Sequence, residues 1–522
     1  MKQSFIAVLS FLMALGLQSC HDEPVNPGAS LELTDFAQLR DSAMMVDSEL
    51  IHFYISKLRR ADADSLQADY FARSLYSNSD DHPFFWISRH GVHPAADSLI
   101  DVLDRVGQDG LNPNVFFLRQ LHDDLAIVNN LDFKSPNQEA SRVLARLEYT
   151  LTKAYLRYAA GQHFGFVDPR QVLNHFDVKD SDSVHVVYHR LYDIHLRHAD
   201  NAFFHQAMRK IGLDSLSPFL RQLQPRNPFY ARLRHLLNSN DGKPFPRERI
   251  LCNMERCRWQ ENDQPFEHSK YVFVNIPAYR LYAVEGDSIL SMRIGCGTVK
   301  TKTPMLTSKI KRMDINPQWI IPRSIIEKDI ARHAGDVGYF TKRRYFVRHR
   351  KSGKTIPAER VTWSMLMSKD YLVIQEGGVG NSLGRIIFRF DNNFSVFLHD
   401  TSSPAFFSRD VRSVSHGCVR VQKPYELAVF LLHDKDERTL ERIRYSMAAD
   451  IHRPAPEEAA GQLPADTLDR KRLISSKEVE PEVPVFLSYF TVYPDQNDVV
   501  RQYPDVYGYD RAILNRLKSF LQ

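Results

Sequence analysis

The stretch Phe-Leu-His-Asp-Thr at residues 397–401, followed by Ser-His-Gly-Cys-Val-Arg at residues 415–420, carries most of what the sequence says about fold and chemistry. A thiol attacks carbonyl groups only as the thiolate, so a nucleophilic cysteine needs a base or an imidazolium nearby to lower its pKa from about 8.5. It also needs backbone N–H donors for the tetrahedral oxyanion, and an adjacent glycine lets backbone and substrate approach closely. The two motifs together indicate acyl transfer through Cys418.

These motifs resemble those of the L,D-transpeptidases of the YkuD-like fold, and most of all their long, membrane-anchored branch that cross-links peptidoglycan. The resemblance covers roughly residues 80–510. It implies an α+β protein in which a helical N-terminal scaffold domain precedes a mainly β catalytic domain with an inserted cap. Further stretches that match the family are Val274-Asn275-Ile276-Pro277 with Arg280-Leu281-Tyr282, Thr303-Pro304 with Asn316-Pro317, Trp319 and Pro322-Arg323-Ser324, and Gly380-Asn381 with Leu383-Gly384-Arg385.

The resemblance also implies roles for the motif residues. Cys418 is the nucleophile and His399 its base, and the main-chain carbonyl of Asp400 orients the imidazole. His416 is the other candidate base, but a residue so close to the cysteine in sequence cannot easily turn its ring toward the sulfur. We therefore expect His416 to lie at the oxyanion hole, where the backbone N–H groups of Gly417 and Cys418 are the expected donors.

Three further residues are assigned to the substrate side of the site. Arg420 carries a fork-shaped cation that suits a substrate carboxylate, and an internal salt bridge fits this arginine equally well. Ser415 is expected to hydrogen-bond locally and hold the turn. Trp319 either lines the cleft or belongs to a core. The family often has a tyrosine two residues before the histidine of the first motif, and Phe397 stands there in this chain.

The expected activity is L,D-transpeptidation, in which a cysteine acyl-enzyme formed on a tetrapeptide stem is resolved by a second stem to give a 3→3 cross-link. The partners are then donor and acceptor peptidoglycan stems, and carbapenems are expected covalent inhibitors. No cofactor is expected, and the cysteine and histidine spacings fit no metal site. The alternatives are an L,D-carboxypeptidase with water as acceptor, attachment of an amino acid or a protein to the stem, and a wall-binding lipoprotein without catalysis.

Length and composition set broad limits. A chain of 522 residues exceeds one typical core, so two or three domains are expected. Apolar residues make up 43% and charged residues 25%, which is a globular composition. The net charge of +5 is scattered without a long Lys/Arg tract, which argues against a nucleic-acid partner.

The N-terminus predicts export. Lys2 is followed by an apolar stretch over residues 5–17 that is too short to span a bilayer comfortably and is typical of a signal peptide. Leu17-Gln18-Ser19-Cys20 then resembles a bacterial lipobox, with lipid attached to Cys20; an ordinary secretory cleavage site is the alternative. We therefore expect a membrane-anchored lipoprotein in the periplasm of a Gram-negative bacterium.

Periodicity and composition predict the domain limits. A signal peptide over 1–19 and a tether over 20–30 precede a helical scaffold domain over 31–245 and a catalytic domain over 246–522. A charged insertion at about 325–370 interrupts the strand pattern and fits either a cap over the cleft or a plain surface insertion. Residues 454–484 predict a flexible excursion, with a late strand over 485–492. Cys252 and Cys257 are expected to be free, buried thiols.

Overall fold

The computed structural model describes residues 46–77, 83–88, 91–133, 139–174, 191–212, 215–449, 451 and 468–522. The predicted signal peptide, the tether and Cys20 lie outside these ranges, as does much of the predicted excursion at 454–484. Within the described ranges, no helix combines the length and the apolar character needed to cross a bilayer.

The N-terminal part is helical and is organised around one long helix, α5. Residues Leu144, Leu147 and Leu151 recur on α5 at helical spacing and are fully buried by the helices packed around it. Its buried Glu148 accepts a hydrogen bond from the backbone of Trp86, which ties α5 to the short β1–β2 hairpin. The elements are α1 (Ser48–Ala61), α2 (Gln67–Leu75), β1 (Ile87–Ser88), β2 (Gly91–Val92), α3 (Ala95–Leu103), α4 (Leu118–Asn130), α5 (Ala140–Phe164), α6 (Pro169–Leu173), β3 (Tyr192–Asp193), α7 (Asn201–Arg209), α8 (Leu216–Gln222), α9 (Phe229–Asn238) and α10 (Arg247–Arg258).

The C-terminal part is mainly β, so the predicted α+β arrangement is confirmed. Its elements are β4 (Lys270–Asn275), β5 (Arg280–Glu285), β6 (Ser288–Gly297), β7 (Met305–Ile315), β8 (Trp319–Ile320), α11 (Arg323–Ile325), α12 (Val337–Arg343), β9 (Tyr345–His349), β10 (Thr355–Ile356), α13 (Trp363–Met367), β11 (Tyr371–Gln375), β12 (Ile386–Phe390), β13 (Leu398–His399), β14 (Ser413–Ser415), β15 (Val419–Val421), α14 (Pro424–Leu431), α15 (Glu437–Ala448), β16 (Ser476–Ser488), β17 (Val492–Pro494), β18 (Val500–Gln502) and α16 (Tyr509–Leu517).

The main sheet closes on itself. Its strand order is β12-β13-β15-β6-β5-β4-β16-β7, and β7 also pairs with β12. The strands β4, β5 and β6 form the antiparallel meander that alternating residues predicted. Side chains alternate between two cores, because successive residues of a strand point to opposite faces. Val272 and Val274 lie in the core of the sheet, whereas Phe273 packs against α9 and α10.

The insertion between β7 and β12 has a core of its own. The strands β8, β9, β10 and β11 form a separate small sheet, in the order β10-β9-β11-β8. Its buried side chains, among them Ile326, Ile330, Phe340 and Val373, form a cluster distinct from the core of the main sheet. A π-helical turn at Ile326–Ile330 lies within this segment, which we call the cap.

Two segments differ from the predicted limits. Strand β3 comes from the predicted scaffold range, yet it pairs with β7 in the main sheet. The predicted late strand begins at Ser476 rather than at residue 485, so the last part of the predicted excursion is strand. Because this stretch contains Pro481 and Pro484, its composition predicts a flexible segment and not a strand. A register shift between Glu478 and Val483 accommodates the irregular stretch against β7.

Candidate active site

The two motifs come together on adjacent parallel strands. β13 pairs with β15 so that His399 lies opposite Arg420 and Leu398 opposite Val419. Residues two apart on a strand share a face, so Cys418 and Arg420 lie on the same side of the sheet as His399. With strands about 4.8 Å apart and a rise of about 3.3 Å per residue, the Cα atoms of His399 and Cys418 are about 8 Å apart. This separation lets the two side chains converge.

The His399 ring is buried and oriented by its neighbour. Its Nδ1 lies 2.6 Å from the carbonyl oxygen of Asp400, so Nδ1 donates and Nε2 keeps a lone pair. Burial, together with the charge of Arg420, lowers the pKa of His399 to about 4, and the backbone carbonyls of Asp400 and Leu383 oppose this shift. At neutral pH the ring is therefore a neutral imidazole able to accept a proton.

The Cys418 thiol is half-buried and protonated at rest. It donates a long hydrogen bond to the carbonyl oxygen of Ser395, with Sγ 3.9 Å from that oxygen. Burial raises the pKa of Cys418, while a backbone hydrogen bond from Phe397 and the charge of Arg420 lower it. Among the hydrogen bonds of the described residues, none joins this sulfur to His399. The sequence led us to expect a thiolate; the resting pair is instead a neutral thiol beside a neutral imidazole.

The turn before Cys418 differs from the predicted oxyanion hole. The N–H of Gly417 donates to Ser415 Oγ at 3.1 Å, and the Ser415 hydroxyl donates to the carbonyl of Cys418 at 2.6 Å. The Gly417 N–H is therefore already bonded, contrary to the expectation that it donates to an oxyanion. Ser415 is 3% exposed, so it holds the turn as expected but offers no surface to a substrate. In the described structure, the N–H groups of Cys418 and His416 have no acceptor.

Residues of the β6–β7 connection hold this turn by hydrogen bonds, and the sequence alone predicted no role for them. Thr303 Oγ1 accepts from the N–H of Gly297 at 2.9 Å and donates to the carbonyl of Gly417 at 2.8 Å. Thr301 Oγ1 donates to the carbonyl of Ser415 at 2.8 Å. Gly417 itself has φ of +120°, a conformation that glycine adopts without strain. The match of Thr303-Pro304 to the family was the available signal.

The side chain of Asp400 faces away from the histidine. Its carboxylate accepts from the N–H of Arg385 at 2.8 Å, and burial raises its pKa. Gly384 has φ of +69°, and a Cβ there would lie 2.5 Å from Asp400. Residues 383–385, which match the family by sequence, thus pack against Asp400, whose main-chain carbonyl orients the His399 ring.

Arg420 lies beside the thiol and has no anionic partner in the part of the chain that the structure describes. Its Nε is buried without a hydrogen bond, its guanidinium packs over the ring of Phe406 at 5.6 Å, and burial lowers its pKa. Among the described residues, no carboxylate forms an ion pair with it, which argues against the internal salt bridge. A half-buried cation with a buried, unused Nε donor next to the nucleophile can bind a substrate carboxylate.

The remaining predicted residues lie toward the cap. His416 is exposed, and its pKa is lowered by partial burial and by the charge of Lys328, whereas Asp329 opposes the shift. Both charges belong to the π-helical turn, so the cap lies near the His416 side of the site. Trp319 is half-buried and packs against the cap core. Within the described ranges, no cluster of three or more His, Cys, Asp or Glu side chains could hold a metal ion.

Comparison with known proteins matches two parts of the chain to family models. Residues 70–237 match the model of a scaffold domain, and residues 269–439 match the model of the YkuD L,D-transpeptidase catalytic domain. A Haemophilus influenzae protein whose name assigns it to the L,D-transpeptidases is 30% identical over 244 residues. That match spans 46% of this chain and 45% of the relative, so it covers somewhat less than half of each. The chain therefore has, in order, a region that matches a scaffold domain and a region that matches the YkuD L,D-transpeptidase catalytic domain.

Proposed function

We propose that this protein is an L,D-transpeptidase that forms 3→3 peptidoglycan cross-links through a Cys418 acyl-enzyme. The observation that carries the proposal is the shared face of β13 and β15. It brings together a thiol, a neutral imidazole and a half-buried arginine that has no ion-pair partner among the described residues. These are a nucleophile, a base and a carboxylate receptor, which are the groups that attack on a tetrapeptide stem requires.

The first half-reaction forms the acyl-enzyme. His399 Nε2 takes the thiol proton as Sγ attacks the carbonyl carbon at the L-centre of the third stem residue. The N–H groups of Cys418 and His416 face the oxyanion, since that of Gly417 is engaged by Ser415. The C–N bond to the terminal D-alanine breaks, the leaving amine takes the proton from His399, and a thioester remains. Arg420 binds the D-alanine carboxylate during this step.

The second half-reaction transfers the acyl group. The side-chain amine of another stem's third residue attacks the thioester carbonyl, the C–S bond breaks, and an amide forms. The amine proton returns through His399 to the sulfur, so Cys418 is regenerated as the thiol. The same thioester attacked by water gives a tripeptide, which makes L,D-carboxypeptidase activity the competing outcome.

Incubation of the purified protein with a disaccharide-tetrapeptide, followed by mass spectrometry, tests the proposal. We expect cross-linked dimers from the parent chain and no product from Cys418→Ala. Cys257→Ala is the matched control, since Cys257 is a buried thiol on α10 far along the chain from the motifs, and it should keep the activity. Tripeptide alone would establish a carboxypeptidase. Full activity in Cys418→Ala would refute the cysteine mechanism.

Carbapenem binding and location belong to the same proposal. A carbapenem should acylate Cys418 and add its mass to the parent chain but not to Cys418→Ala. Lipid on Cys20 would hold the catalytic domain at a periplasmic membrane surface, where wall stems are within reach. Replacement of Cys20 by alanine should then release the protein from the membrane fraction. Retention of that variant in the membrane would refute lipid anchoring at this residue.

A further inference from the structure

The loop between β12 and β13 is held rigidly next to the thiol by one side chain. Asn392 Nδ2 donates to the carbonyls of Phe390 at 3.1 Å and Val396 at 2.8 Å. Its Oδ1 accepts from the N–H groups of Phe394 at 3.0 Å and Val396 at 3.1 Å. A single amide thus makes four hydrogen bonds across a loop of a few residues, and the loop conformation depends on it.

This conformation aims one carbonyl at the nucleophile. Ser395 has φ of +55°, a left-handed conformation that a non-glycine residue adopts only when its surroundings enforce it. Its carbonyl oxygen lies 3.9 Å from Cys418 Sγ, and the residue is exposed to solvent. At rest this oxygen accepts a hydrogen bond from the thiol. Once the sulfur is acylated the S–H is gone, and the oxygen beside the thioester can accept a hydrogen bond from another donor.

We propose that the Ser395 carbonyl orients the attacking amine of the acceptor stem, and that Asn392 is the positioning residue that holds it there. This inference rests on the proposed transpeptidase function. It assigns to the loop a role in the second half-reaction, in addition to its contact with the resting thiol.

The two hydrogens of the attacking amine leave one N–H that such a group can bind. A neutral primary amine has two hydrogens and one lone pair, and the lone pair must point at the thioester carbon. One N–H transfers its proton to His399 as the C–N bond forms and the C–S bond breaks. The other N–H remains on the product amide nitrogen, and a carbonyl oxygen beside the sulfur accepts its hydrogen bond.

Loss of this oxygen affects aminolysis more than hydrolysis. Water has two lone pairs and enters the site from any open direction, so it depends little on one fixed acceptor. The amine is attached to a long stem and has one productive orientation. Displacement of the Ser395 carbonyl should therefore shift the fate of the acyl-enzyme from dimer toward tripeptide.

The test compares Asn392→Ala with Asn393→Ala. Asn393 is the adjacent residue, and its side chain donates to Asp193 on β3 at 2.9 Å. Each variant is incubated with disaccharide-tetrapeptide, and the ratio of dimer to tripeptide is measured by mass spectrometry. The rate at which a carbapenem acylates Cys418 is measured in parallel, because it reports the first half-reaction alone. Asn392→Asp, which keeps an oxygen acceptor at the same place, provides a variant closer to the parent in shape.

We expect the dimer-to-tripeptide ratio to fall about tenfold in Asn392→Ala, the effect of one ordinary hydrogen bond in the transition state, and acylation to change less than about threefold. Asn392→Asp should lie between the two, and Asn393→Ala should keep the parent ratio. An unchanged ratio in Asn392→Ala, or equal losses in acylation and in cross-linking, would overturn the inference. If the parent chain forms no dimer, the proposed function itself fails, which is a separate result.

Discussion

Thr303 offers the sharpest test of how the nucleophile turn is held. Its buried hydroxyl accepts from the N–H of Gly297 and donates to the carbonyl of Gly417. Thr303→Val keeps the shape of the side chain and removes both bonds, leaving a buried donor and a buried acceptor unpaired. Two ordinary hydrogen bonds, with the added cost of unpaired partners, amount to a loss of about 2–4 kcal/mol in the free energy of unfolding.

The chain supplies a matched control on β7. Thr307 Oγ1 is buried and has no hydrogen-bond partner among the described residues, so Thr307→Val exchanges an unsatisfied hydroxyl for a methyl group. That substitution should be neutral or slightly stabilising. Urea and thermal unfolding of both variants measure the difference, and dimer formation measures the effect on the site. We expect Thr303→Val to lower product formation at least about tenfold, because a displaced nucleophile loses its alignment with the base. Equal stability and activity in the two variants would refute the role assigned to Thr303.

Three further outcomes follow from the site and the scaffold. Since burial raises the pKa of Cys418, its alkylation by iodoacetamide should rise about tenfold per pH unit through pH 7–9; a plateau between pH 5 and 8 would instead indicate a thiolate–imidazolium pair. The pKa of His399 is about 4 in the folded state and 6.5 ordinarily, so the folded state binds fewer protons between these pH values. Acidification from pH 6.5 to 4 should therefore lower the free energy of unfolding. His399→Gln should show a smaller loss of stability over this pH range when unfolding is measured as a function of pH. Arg420→Gln should lower kcat/KM for tetrapeptide about 10- to 100-fold but change it little for a donor whose terminal carboxylate is amidated; equal losses with both donors would exclude carboxylate binding.

Local sequence predicted the parts of the site that depend on short-range pattern. The alternation of residues along 397–399 and 418–420 is enough to place His399, Cys418 and Arg420 on one face once the two strands pair. The contact from His399 to the Asp400 carbonyl involves adjacent residues, so a motif can carry it. The meander of β4 to β6 followed from alternating apolar residues and a glycine-containing turn.

Other features depend on contacts that no local pattern encodes. Thr303 and Gly417 are 114 residues apart in the chain, and their hydrogen bond exists only because β6, β7 and β15 meet in one sheet. The hydrogen bond from the Gly417 N–H to Ser415 depends on the φ of +120° at Gly417. A glycine in the sequence allows this conformation but does not determine it. The pKa directions of His399 and Cys418 arise from burial, which follows from the complete fold.

The charge of Arg420 bears on how the neutral pair reacts. It lowers the pKa of Cys418 by favouring the thiolate and lowers the pKa of His399 by disfavouring the imidazolium. Transfer of the proton from sulfur to nitrogen depends on the difference between the two pKa values, so these two effects oppose each other. The arginine therefore does not act on the nucleophile alone. Its half-buried guanidinium has no carboxylate partner among the described residues and can bind the carboxylate of the substrate. A donor whose carboxylate is amidated does not make this contact, and the selectivity expected of Arg420→Gln follows from that difference.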